Sequence, residues 1–149
     1  MGTNKPRRLL TETELLSIVE SSEEELSQAE SKLGPIANQI LDGIYEPGTF
    51  VRLIKSGAFE ASTVHVDKEP AFVMIYTRNA LGWLTVEGVA SLAKKASFKY
   101  VFDAGDALAR HYGCKTIQFV TKLSSLYRYG LEQGYKSLGV IMCKDASPA

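Results

Sequence analysis

Few residues in this chain combine a reactive type with a placement that could serve chemistry. Glu87 precedes Gly88 in a β-forming run, Leu81 to Val89, and a carboxylate on a strand can take or give a proton. His65 sits in another such run, Phe59 to Val66, and an imidazole titrates near neutrality. Tyr127 and Tyr129 stand in a helical stretch, Leu123 to Gln133, and a phenol can donate its proton. Lys94 and Lys95 are adjacent in the loop Ala90 to Ser97, where they can neutralise phosphates as point charges, and Ser97 can cap the helix after it. Each group also has a plainer reading: an exposed carboxylate, a half-exposed imidazole, packed phenols, a solvated loop.

The segments that carry these groups follow from hydrophobic spacing. Ser97 to Lys144 reads helix, strand, helix, strand. Phe98, Val101, Phe102, Leu108 and Ala109 recur at helical spacing and Gly113 stops the helix. Cys114 to Thr121 is a short β-rich run, Leu123 to Gln133 is helical and closed by Gly134, and Tyr135 to Cys143 is an apolar strand. Upstream the period is two: strands are predicted at Phe50 to Lys55, Phe59 to Val66, Ala71 to Thr77 and Leu81 to Val89, with turns at Ser56-Gly57, Asp67 to Pro70 and Arg78 to Ala80. Short links predict an antiparallel meander. Nearer the start, Thr11 or Thr13 is expected to cap a helix from about Glu14, with Leu15, Leu16, Ile18 and Val19 as its apolar face. Ser21 or Ser22 caps a second helix, and Gly34-Pro35 is expected to break it. Residues 1–10 read as a flexible leader and 11–149 as a single domain.

The bulk numbers bound the function classes. A chain of 149 residues can bury one core without staples. Seventeen basic and seventeen acidic residues cancel, so no global field recruits nucleic acid or anionic lipid, although Glu12 to Glu30 is acid-rich and the C-terminal half is basic. Cys114 and Cys143 read as reduced core residues, and neither has metal-type spacing to His65 or His111. No apolar run approaches the roughly 20 residues of a membrane span, and no signal-type apolar core follows Lys5, Arg7 and Arg8. A cytoplasmic protein is expected.

The order of elements, with Ala107 to Met142 as its most telling stretch, resembles the GNAT superfamily of N-acetyltransferases over about residues 35 to 144. The stretch has a helix ending at Arg110 to Cys114, a strand, then a tyrosine-bearing helix ending in Gly134-Tyr135. The pattern is also similar to small GNAT-like proteins encoded by phages and prophages. The resemblance implies an α+β (α/β) fold, a mostly antiparallel mixed sheet flanked by helices, with acetyl-CoA as co-substrate. It puts Val86, Gly88 and Val89 on the strand that meets the thioester, which is expected to diverge from its neighbour where Gly88 and Ile117 lie. Lys94, Lys95, Ala96 and Ser97 then stand where family members carry a glycine-rich pyrophosphate loop.

The resemblance further implies Glu87 as general base, with His65 as a lesser candidate, and Tyr127 or Tyr129 as the acid that protonates the departing thiolate. The family's tyrosine usually stands four residues before the terminal glycine-aromatic pair, a position held here by Gly130. The family's asparagine near the start of that helix is replaced by Leu123 and Ser124. Trp83 packs under a helix or lines the acceptor pocket. The expected activity is acetyl transfer to an unidentified small-molecule or protein amine. The alternative is a catalytically inactive GNAT-fold module for binding or assembly, and the pattern also allows a homodimer that exchanges its final strand.

Overall fold

The computed structural model describes residues 7–40, 46–92, 97–121 and 124–139, with 36–40 given by backbone alone. The chain enters through a hairpin, β1 (Leu9–Glu12) and β2 (Leu16–Glu20), where the sequence predicts a helix. The same hydrogen bond serves both outcomes. Thr13 Oγ1 accepts the Leu16 N–H at 3.2 Å, as a helix cap would, but Leu16 returns its carbonyl to the Thr13 N–H at 2.7 Å and closes a turn. Leu16 and Ile18 are buried while Ser17 and Val19 are less so, a period of two that β-branched residues favour. Leu9 and Leu10, placed in the leader by sequence, belong to β1.

Helix α1 (Glu23–Ile40) begins with a reciprocal cap. Ser22 Oγ accepts the Glu25 N–H at 3.2 Å, and Glu25 Oε1 accepts the Ser22 N–H at 2.9 Å. The expected break does not occur: Pro35 lies inside α1. Burial of Leu26, Ala29 and Leu33 holds the helix through the missing N–H. Helix α2 (Thr49–Lys55) replaces the strand expected at Phe50 to Lys55. Over so few residues the two periods are hard to tell apart, and the i, i+4 pair Phe50 and Ile54 decides it by packing on the α1 side of the sheet. Glu30 of α1 accepts the Phe50 N–H of α2 at 3.2 Å and ties the two helices.

The remaining elements are β3 (Glu60–Val66), β4 (Glu69–Arg78), β5 (Trp83–Ser91), α3 (Phe98–Tyr112), β6 (Thr116–Phe119) and α4 (Ser124–Glu132). The six strands lie in sequence order; β1 to β5 pair antiparallel and β6 joins β5 in parallel. The antiparallel meander is present, but the strand that precedes β3 in it is β2 rather than the 50–55 segment, and β1 extends it further. Asp67 and Lys68 turn β3 into β4 with φ of 50° and 69°, which suits a two-residue hairpin. Gly113 takes φ 69° to end α3, as expected. Of the final strand expected at Tyr135 to Cys143, residues 135–139 form no ladder and 140–143 lie outside the described residues.

The sheet separates two apolar layers. Phe72, Met74, Tyr76, Leu84 and Val86 pack with Val101, Ala104 and Leu108 of α3. Val73, Ile75 and Ala90 pack with Ala29 and Leu33 of α1, beside Phe50 and Ile54 of α2. Among the described residues no helix is long and apolar enough to cross a membrane.

Candidate functional site

The parity of β5 changes in its middle. Ile75 pairs with Gly88 but Tyr76 pairs with Val86, so Glu87 is an extra residue, a β-bulge. The bulge resets the alternation of side chains. Val86 and Val89 both pack on the α3 layer, whereas Ala90 joins the α1 layer. The Glu87 carboxylate accepts a hydrogen bond from Thr77 Oγ1 at 3.4 Å. Burial pushes the Glu87 carboxyl above the usual carboxylate range, and the Thr77 hydroxyl only partly opposes it. A half-buried carboxylate with a raised proton affinity at a strand bulge suits proton transfer.

Next to it, Gly88 gives α1 its seat. A Cβ built there would stand 3.0 Å from Leu33 Cδ1. One step back, Thr85 Oγ1 donates to Gln118 Oε1 at 3.1 Å, tying β5 to β6. Spacing alone did not single out Thr77 or Gln118, because their partners lie ten and 33 residues away.

The β5–β6 ladder is short. Trp83, Leu84, Thr85 and Val86 pair with Thr116, Ile117, Gln118 and Phe119, and Val120 N–H donates to the Val86 carbonyl at 3.2 Å. Beyond that point, Glu87 to Ser91 has no strand on its β6 side among the described residues. The divergence expected at Gly88 and Ile117 is therefore displaced: Ile117 is zipped to Leu84, and among the described residues the β5–β6 pairing ends at Val86. The reason is length, since β6 ends at Phe119 while β5 reaches Ser91.

The other sequence candidates are dispersed. Ser97 stands at the N-cap of α3; its side chain makes no cap bond, while its carbonyl accepts the N–H groups of Tyr100 and Val101 at 3.1 and 3.2 Å. The first N–H groups of an α-helix have no intrahelical acceptor and can meet an anion. Lys94, Lys95 and Ala96 lie outside the described residues. Tyr127 is 47% exposed on α4. Tyr129 packs between Phe98 and Phe102 of α3, at ring distances of 6.0 and 5.4 Å. Tyr135 joins the same cluster, 5.0 Å from Phe102, and burial, with Asp106 nearby, pushes its hydroxyl up to about 12. His65 is on β3, two strands from β5, with its Nδ1 buried and unpartnered. Burial, then Arg7, lowers its proton affinity. The structure does not bring it to Glu87. Among the described residues no cluster of His, Cys, Asp and Glu could hold a metal.

No protein-family model matches the chain, and no curated protein matches it in sequence. Solved structures do. A transcriptional regulator from Bacillus halodurans C-125 superposes with TM-score 0.63 at 19% identity, covering 88% of this chain and 99% of the other. An acetyltransferase from Trypanosoma brucei superposes with TM-score 0.58 at 15% identity, covering 88% and 99%. AAC(6′)-Iy in complex with the bisubstrate analogue CoA-S-monomethyl-acetylneamine gives TM-score 0.57 at 10% identity, covering 89% and 99%. Similarity this low speaks for architecture alone. Among the described residues a mixed six-stranded sheet flanked by four helices, parallel where β6 joins β5, gives this chain the GNAT acyl-CoA N-acyltransferase fold.

Proposed function

We propose that the protein transfers an acetyl group from acetyl-CoA to an amine, at the lone edge of β5. The observation that carries this reading is the Glu87 bulge placed where β5 leaves β6. The pantetheine arm would lie against Gly88 and Val89 on the side away from β4, and the pyrophosphate would meet the start of α3 at Ser97, with Lys94 and Lys95 nearby in sequence. The amine nitrogen attacks the acetyl carbonyl carbon, and the C–N bond forms as the C–S bond breaks. Glu87 takes the ammonium proton, directly or through a water, and a strand N–H polarises the carbonyl. A tyrosine of α4, Tyr127 or Tyr129, returns a proton to the thiolate.

A second reading has one observation in its favour. The Tyr129 ring is held between two phenylalanines, as a packing residue would be. A GNAT-fold module that binds without catalysing would look the same.

Thermal-shift and calorimetric titration with acetyl-CoA and CoA, followed by thiol-release assays against a panel of amines, separates the two. Micromolar binding with turnover supports transfer. One of Tyr127→Phe and Tyr129→Phe should then lower kcat with little change in Kd. Binding without turnover on any amine, or no melting shift at millimolar ligand, favours the module.

A further inference from the structure

Toward the other end of β5, at the β4–β5 turn, a cleft of about 620 Å³ opens between the β1–β2 hairpin, the α2–β3 turn and the last turn of α3. That volume falls within the range of small-molecule sites. Its floor is a chain of hydroxyls. Ser62 Oγ and Tyr76 OH lie 2.7 Å apart, both fully buried, and Tyr76 OH is 3.0 Å from Tyr112 OH. Tyr112 is only half-buried and lines the cleft, so the chain of hydroxyls ends at a residue of its wall. One wall is fixed in place: Arg78 lies 3.8 Å over the Tyr112 ring while Glu60 clamps its guanidinium with bonds of 2.6 and 2.7 Å.

Another part of the lining carries two charges. Arg8 and Glu20 face each other across the hairpin, where the Glu20 N–H donates to the Arg8 carbonyl at 2.9 Å, and both line the cleft. Both are exposed, and neither side chain makes a hydrogen bond or ion pair among the described residues. Ile54 and Phe59 supply an apolar surface. A simple anion would meet Glu20 and a simple cation would meet Arg8. A molecule with both charges and an apolar arm satisfies all three.

We propose that this cleft binds a small zwitterion of the free amino-acid type. Its carboxylate lies on Arg8 and the Tyr112 hydroxyl, its ammonium on Glu20, and its side chain against Ile54 and Phe59. The assignment does not depend on acetyl transfer: the stretch of β5 beyond its ladder with β6 runs away from the β4–β5 turn, although Thr77 borders the cleft and also reaches Glu87.

Calorimetry of the full chain without acetyl-CoA, against the proteinogenic amino acids, tests it. An apolar amino acid is expected to bind, and its N-acetylated and C-amidated forms should each bind at least about tenfold more weakly. Arg8→Ala and Glu20→Gln should each weaken binding about tenfold with an unchanged melting temperature, because neither side chain supports the fold. Tyr112→Phe should weaken it as well. No binding of any amino acid at millimolar concentration would overturn the assignment. So would blocked forms that bind as well as free ones, or binding indifferent to both charge variants.

Discussion

Glu87 sits where its own chemistry opposes stability. Burial raises its carboxyl, so the fold favours the protonated form. The stability from this group is complete below the unfolded carboxylate range and is lost as pH rises through the raised folded value. Glu87→Gln keeps the shape without the charge. It should therefore melt higher than the native chain at about pH 8, with the difference closing below about pH 4, in paired thermal melts. In turnover the same variant loses its base and should fall on the order of a hundredfold. The acid limb of the native pH–rate profile should lie above the usual carboxylate range. At this scale the sequence was partly legible. Glu87 beside Gly88 stood out only through the family resemblance, whereas Ser22 with Glu25 marked a cap through a contact only three residues apart. The Thr77 and Gln118 contacts were not legible, since strand pairing creates them.

Elements obeyed the sequence where a segment was long or its punctuation firm. Helix α3 with Gly113, and strands β3, β4 and β5, fall close to their expected places. The short segments were settled by tertiary packing: β2 by Leu16 and Ile18 on the sheet's α3 side, α2 by Phe50 and Ile54 on its α1 side. Helix α4 shows how packing bears on chemistry. Gly130 is buried, and a Cβ there would stand 3.4 Å from Phe102 Cζ and 3.8 Å from Tyr135 Cβ. Absence of a side chain lets α4 rest on the α3 aromatics. Placing a tyrosine there by Gly130→Tyr should thus destabilise by about 1–3 kcal/mol and leave turnover unimproved, as denaturant melts and thiol-release assays would show. Recovery of activity without loss of stability would show that the helix has room to turn.

The whole molecule keeps the GNAT architecture through a sheet whose strands lie in chain order, with α1 and α2 on one face and α3 on the other. The helix–strand–helix order after β5 made that architecture legible, because a parallel strand beside β5 requires a crossover helix. Less legible was where β5 and β6 part, which depends on the length of β6 rather than on any single residue. The account depends on that parting. A crystal structure with CoA bound tests it most directly. The pantetheine arm should lie along the backbone of Gly88 to Ser91, its pyrophosphate at the first turn of α3. Residues after Phe119 laddered onto β5 across this stretch, with CoA elsewhere or absent, would contradict the account.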